Sequence, residues 1–372
     1  MSLFSIKIGE LCDQGNSNNK KGTFMKKKYI IGLAASLIGI SSLSQAAEMT
    51  ISGQVNRAVM SADDGEKTET YFVDNTNSST RFRFALTDQI TDNILAGVML
   101  EMEFQSNSSS AVSRANPQIA SELKERKAEV FFKGPFGEVY LGQGDGSANG
   151  YTHLDLSGTN VVALMGHAHL FGGGTRFLEG NLTGPTVTGA IANFDFESRY
   201  DRIEYSTNQF GPLTLSATIG RKADMIYEGA AQYRSDFSGG KFLAGIGYST
   251  EEVAGPADSN DTIGGSASIL LDNGLNAGLS YSQLEADADY KSDNTTFRVG
   301  YKAGRHASSV DYGMTNDRAQ KGDEATYIGL NYVFKPVGWA ELYATGRVFS
   351  LDRENTNFDD ITVVAMGSRI KF

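Results

Sequence analysis

The feature that most constrains this chain is a period-two alternation between apolar and small or charged side chains, repeated along most of its length. Residues 96–105, AGVMLEMEFQ, put Val98, Leu100, Met102 and Phe104 on one face and Gly97, Glu101 and Glu103 on the other. Successive side chains of a strand point to opposite faces, so this pattern specifies β-strand. LNAGLSYSQ (275–283), FLAGIGYS (242–249), FRVGYK (297–302), YIGLNYVF (327–334) and AELYATGRVF (340–349) repeat it. The chain also ends on it: in VVAMGSRIKF, Val364, Met366, Ile370 and Phe372 share a parity with Ser368, while Gly367, Arg369 and Lys371 hold the other. Alternation alone leaves two solutions open, a soluble sandwich with a dry core and a membrane barrel with its apolar face turned to lipid.

The connections separate the two. Short turn signals fall at TDQITDN (87–93), KGPFGE (133–138), NQFGP (208–212), SGGK (238–241), DNG (272–274), AGR (303–305) and KPVGW (335–339). Between them lie longer polar stretches: residues 61–79, 106–122, 250–261, 285–294, 315–325 and 352–360. Tight turns at one end and long acidic loops at the other make seven hairpins plus one strand before and one after. That predicts an all-β fold, a 16-stranded antiparallel transmembrane β-barrel, wide enough to enclose an aqueous channel. The last strand would pair with the one starting near Met49 and remove both sheet edges.

Composition agrees with an exported barrel. Residues 25–46 carry Lys26 to Lys28, an apolar run from Tyr29 to Leu43, and small residues at Ser44 and Ala46, the layout of a secretory signal peptide cut before Ala47. The apolar run is too short to span as a helix. Residues 1–24 read as an upstream extension, with Met25 the expected start, and 47–372 as one barrel domain. Removing six lysines and two acids with residues 1–46 leaves 27 bases against 42 acids, a formal charge of −15. Cys12, the only cysteine, goes too, so no disulfide framework is expected. An acidic balance argues against a nucleic-acid partner.

The segments STRFRFALTDQITDNILAGVMLEMEF (79–104) and RKAEVFFKGPFGEVYLGQ (126–143) resemble the general diffusion porins of Gram-negative bacteria. EYSTNQFGPLTLSATIG (204–220) and YVFKPVGWAELYATG (332–346) extend the resemblance in order over most of the chain. It implies an outer-membrane homotrimer of 16-stranded barrels, each with its third loop folded inward to narrow a pore for small hydrophilic solutes and ions. It also implies that the terminal Phe372 is a signal to the assembly machinery. The roughly 55 residues from Gly144 to Arg199 are the candidate for that loop, since a connection so long is usually functional.

In the family, a basic cluster on the wall faces acids on the inward loop. The resemblance puts Arg81, Arg126 and Arg202, with Arg199 as the alternative to the last, at the basic positions, and Arg83 shares the parity of Arg81. Ordinary rim charges or wall ion pairs are the alternative for each. Candidate acids are Asp145, Asp155, Glu179, Asp195 and Glu197 in the loop, with Glu101, Glu103 and Glu129 on lumen parity. Two departures bear on selectivity: Gln54 stands where the first strand often has a base, and Leu170 replaces the acid before Phe-Gly-Gly. The charge of −15 suggests weak cation preference.

His167 and His169 invite a metal reading, but two ligands do not make a site, and the other histidines, His153 and His306, are not adjacent in sequence. Plain loop histidines titrating near neutrality are expected, with no metal and no cofactor. Acidic stretches at 63–66 and 357–360 lack regularly spaced calcium ligands. Trp339 with the strand-end tyrosines should sit at the headgroup level. No nucleophile motif accompanies the four histidines, so no enzyme activity is expected; an outer-membrane barrel with a specific ligand or a hydrolase activity is the alternative.

Overall fold

Inside a bilayer a strand satisfies its backbone polar groups only by pairing on both sides, which a closed barrel alone achieves. The computed structural model describes residues 47–253, 259–286 and 290–372; the expected extension and signal peptide lie outside the described residues. Sixteen antiparallel strands close on themselves. They are β1 (Glu48–Asp63), β2 (two segments, Thr68–Asp74 and Arg81–Thr91), β3 (Ile94–Gln105), β4 (Glu122–Gly134), β5 (Gly137–Gly144) and β6 (Tyr200–Ser206). Then follow β7 (Leu213–Arg221), β8 (Met225–Phe237), β9 (Gly240–Glu252), β10 (Ser259–Leu271) and β11 (Leu275–Ala286). The last five are β12 (Tyr290–Ala303), β13 (His306–Asn316), β14 (Glu324–Val337), β15 (Ala340–Arg353) and β16 (Ile361–Lys371).

Closure is made by β1 and β16, paired from Gln54↔Lys371 to Asp63↔Thr362. Beyond that ladder Gly53 N donates to Phe372 O (2.9 Å) and Phe372 N to Gly53 O (3.0 Å). The terminal residue is thus the last rung of the seam. All seven expected turns separate consecutive strands. The chain carries no described helix long and apolar enough to cross a membrane.

The parity reading also describes the surface. Leu279, Tyr281, Phe297, Val299, Leu330, Leu342 and Met366 are exposed, whereas Asn276, Ser280, Arg298, Asn331 and Arg347 on the opposite parity are buried. One sector departs from polar-inside. At the seam Met60, Ala62, Val363 and Ala365 are buried apolar residues facing inward, beside outward Val364 and Met366. They pack with Val161, Val162, Phe171, Phe177, Val187 and Ile191 of the 145–199 connection, which places the apolar core at the seam. A strand covered on its inner face by apolar chain and on its outer face by lipid must be apolar on both.

The structure corrects the loop reading. Residues 61–79 are mostly strand, turning over 64–67, and 250–261, 285–294, 315–325 and 352–360 are shortened because strands run on into them, whereas 106–121 remain a connection. Backbone pairing does not end where apolar side chains end. β2 is interrupted at 75–80 by a 3-10 turn, Thr76–Ser78, capped by the Asn75 side chain. Gln54, at the position where a base was sought, holds this excursion: its Nε2 donates to Ser78 O (2.9 Å), Ser78 Oγ (2.8 Å) and Ser79 O (2.8 Å). Trp339 is exposed in the turn between β14 and β15.

Leu330, near the middle of β14, tests which face meets lipid. Leu330→Arg should destabilise the barrel in vesicles by about 2–4 kcal/mol, and Glu324→Arg, at the strand end, by at most about 1 kcal/mol. Urea titration by gel mobility reads both; equal costs would contradict an outward lipid face.

Candidate functional site

The connection between β5 and β6, residues 145–199, holds a 3-10 turn (Ala168–Leu170), a short hairpin (Arg176–Glu179 with Leu182–Thr186) and a single helical turn (Val187–Ala190). Most of its backbone has no regular partner within itself, and an unpaired buried amide or carbonyl is costly. Side chains of inner parity supply many of the bonds. Leu154 N donates to Ser266 Oγ (2.9 Å), Leu156 N to Ser268 Oγ (3.0 Å) and Phe194 N to Ser282 Oγ (3.1 Å). Ser280 Oγ donates to Thr152 O (2.6 Å), and Asn75 Nδ2, from the β2 excursion, to Val161 O (2.7 Å). Gly247 on β9 makes room: a Cβ there would lie 2.7 Å from the Ala148 Cβ.

Two arginines bind the connection most firmly. Arg298, fully buried on β12, donates from Nε and Nη2 to the two carboxylate oxygens of Asp311 (2.6 and 2.7 Å). Its remaining donors reach Asp155 Oδ2 (3.0 Å) and Ala163 O (3.0 Å). The fork geometry of guanidinium, not a point charge, is what lets one side chain grip a wall acid and two loop groups. Arg347, buried on β15, donates to Ala168 O (2.5 Å) and Val162 O (2.6 Å) and lies over the Phe171 ring. Neither arginine stood among the sequence candidates; the only signal was a charge on inner parity.

The structure brings five of the candidates together. Arg126 donates to Glu101 Oε1 (2.5 Å) and Glu103 Oε2 (2.7 Å), Arg83 is bonded to Glu101 Oε2, and Arg81 lies 3.6 Å from Glu101 Oε1. Arg126 sits at a register shift between Glu101 and Met102, a bulge that re-aims the side chain toward both glutamates. Arg202 is elsewhere, 4% exposed, between Glu129 (2.8 Å) and Glu204 (2.9 Å). Asp145 meets Lys127 (3.0 Å) and Arg199 (3.6 Å), and Asp155 belongs to Arg298. Glu179 accepts from Asn357 N (3.0 Å), and Glu197 is paired with Lys222. Leu170 contributes main-chain bonds: its carbonyl accepts from Ser109 Oγ (2.5 Å) and its N–H donates to His167 O (3.2 Å).

Toward the short-turn end, two cavities that share Arg369 are lined by seven bases, Arg81, Arg83, Lys241, Lys302, Lys335, Arg369 and Lys371. Their acids are Asp155 and Glu341. Asp155 is neutralised by Arg298, and Glu341 is shared by Lys335 (3.1 Å), Lys371 (3.4 Å) and Arg369. A basic arc results on the inner wall.

His167 and His169 are joined by His153, 14 residues upstream: the ring centroids are 5.0 Å (His153 to His167) and 5.8 Å (His167 to His169) apart. Burial pushes His167 down to about 4 and His169 to about 3, away from the neutral range expected of loop histidines. Burial also acts against a charged His153, but the Asp195 carboxylate outweighs it and raises the group. Burial opposes ionisation of Asp195, yet the neighbouring charge of His153 holds it well below the usual carboxylate range.

The sequence profile of the family described as Gram-negative porin matches residues 33–353. A search of curated proteins finds no significant match. Three similar solved structures illustrate the fold. The anion-selective porin from Comamonas acidovorans has 17% identity and TM-score 0.63, covering 88% of this chain and 100% of that one. The outer membrane channel DcaP of Acinetobacter baumannii has 12% identity and TM-score 0.57, covering 88% and 98%. The trimer form of in-vitro folded OmpT, an outer membrane protein of Vibrio cholerae, has 14% identity and TM-score 0.56, covering 88% and 100%. At these identities the likeness is one of fold.

The arginine clamp has a measurable consequence. Arg298→Met strands Asp155 and Asp311 without their partner and should cost about 3–5 kcal/mol. Adding Asp155→Asn and Asp311→Asn should recover much of that loss in urea unfolding. A single variant as stable as wild type would mean that the clamp holds nothing.

Proposed function

The chain belongs to the Gram-negative porin family, and on that premise we propose that its outer-membrane barrel conducts small hydrophilic solutes and ions by passive diffusion through a lumen narrowed by residues 145–199. The observation that carries the reading is the bonding of that connection to inner-parity side chains of β10, β11, β12 and β15. A segment so attached lies across the lumen and leaves solutes the remaining space. Selection there is by size and by the charges on the wall, because narrow water screens them poorly.

The arrangement favours anions. The overall charge of −15, which suggests cation preference, counts many acids in the turns and loops, among them Glu66, Asp224, Asp317, Glu354, Asp359 and Asp360. A permeating ion instead meets the basic arc, whose seven bases share their cavities with two acids, Asp155 and Glu341, while Arg81 and Arg83 also pair with Glu101. Counting Arg126 with Arg81 and Arg83 of that arc, three bases stand against Glu101 and Glu103, an excess of one charge, while Arg202, Asp145 and Asp155 act as wall and loop ion pairs. The barrel acts as a channel without enzymatic chemistry, and it assembles as a homotrimer, as the family resemblance implies.

Reversal potential in a planar bilayer under a KCl gradient tests the selectivity. Wild type should prefer chloride, and replacing Lys302, Lys335 and Arg369 together by Gln should cut the chloride-to-potassium permeability ratio roughly twofold or more. Potassium preference in wild type would overturn the anion reading.

A further inference from the structure

We propose that His153, His167 and Asp195 form a binding site for a divalent transition-metal cation of the zinc class, built within the 145–199 connection and independent of what the pore conducts. One donor atom from each residue lies within 4.8 Å of the others, the sole such grouping among the described residues. Tetrahedral zinc with bonds of about 2.0–2.2 Å holds its ligands roughly 3.3 Å apart, so side-chain rotation of an ångström or so closes the set. Two imidazoles and a carboxylate suit zinc, nickel or copper rather than calcium or magnesium, which take oxygen ligands.

Three details go beyond proximity. His153 Nδ1 lies 3.2 Å from Asp195 Oδ2 yet makes no well-directed hydrogen bond, leaving a buried ring nitrogen without a proper partner. His167 Nδ1 faces Met165 O at 3.2 Å, which assigns the proton to Nδ1 and leaves the Nε2 lone pair free. That is the orientation a second partner imposes on a metal-binding histidine. Asp195 in turn is aimed by Gly150 N (3.0 Å to each oxygen), Thr152 N (3.3 Å) and Thr152 Oγ1 (2.6 Å).

The site is also braced. Asn193 Nδ2 donates to Thr152 O (3.3 Å) and Met165 O (3.2 Å), tying the three ligand-bearing segments together. His169, with its own buried and unpartnered Nδ1, stands next to His167 as a candidate fourth ligand. A cation there would cross-link residues 152–195 and stiffen the middle of the connection. The rival account is an ordinary buried His153–Asp195 ion pair.

Cobalt(II) serves as the spectroscopic probe, added to untagged, EDTA-treated, folded protein in detergent. The expected result is one Co²⁺ per chain with visible ligand-field bands, displaced stoichiometrically by Zn²⁺. His167→Asn and Asp195→Asn should each weaken binding by about tenfold or more. His306→Asn should not, because His306 stacks on Phe334 in another part of the barrel. In wild type alone, Zn²⁺ should slow diethylpyrocarbonate modification of His153 and His167, a readout that does not depend on a variant folding. Absence of binding below millimolar Co²⁺, binding unchanged in both ligand variants, or no zinc protection would each overturn the site.

Discussion

Every other feature of this molecule depends on one constraint: a backbone surrounded by lipid must satisfy all its polar groups within the protein. The seam between β1 and β16, finished by the paired main chains of Gly53 and Phe372, converts a sheet with two raw edges into a barrel with none. Once the sheet is closed, side-chain parity has only one consistent meaning. Exposed Leu279, Phe297 and Leu330 face outward, and Ser280, Arg298 and Asn331 face a shared interior. Inverting the parity of β12 would put Arg298 into lipid and Phe297 and Val299 into the polar interior.

The 55 mostly irregular residues of the 145–199 connection must find partners for their backbone, and they take many of them from side chains of inner parity. The solution is divided by sector. Against the seam, apolar side chains on both parts make a dry core around Phe171 and Phe177. Around the rest of the wall, serines, asparagine and two arginines substitute for the ladder bonds the connection lacks. The polar inner face therefore does two jobs, solvating a lumen and anchoring a segment. This explains why Arg298 and Arg347 are buried among fixed partners while Arg83 and the lysines near the short turns remain partly exposed.

Much of this was legible in the sequence because period-two alternation and turn chemistry are local. The seven turns, the count of sixteen strands, the terminal pairing and the long connection after β5 follow from neighbouring residues alone. Contacts across the interior do not. Arg298 and Asp155 are 143 residues apart, and nothing near either names the other. His153 was set aside because it is 14 residues from His167, a distance the loop folds away. Residues 61–79 looked like a loop because most of their side chains are polar, yet 61–63 belong to β1 and the main chain of 68–74 pairs with it. Local pattern reports the medium around a strand better than it reports where pairing stops.

The central claim is that residues 145–199 occupy and narrow a water-filled lumen. Single-channel conductance of the folded protein, compared with a variant in which residues 146–198 are replaced by a short glycine-serine linker, tests it most directly. Heat-modifiable gel migration checks that both barrels are closed. Ohmic openings in wild type and a several-fold larger conductance in the variant are the results this account requires. Equal conductance in two correctly folded barrels would contradict it.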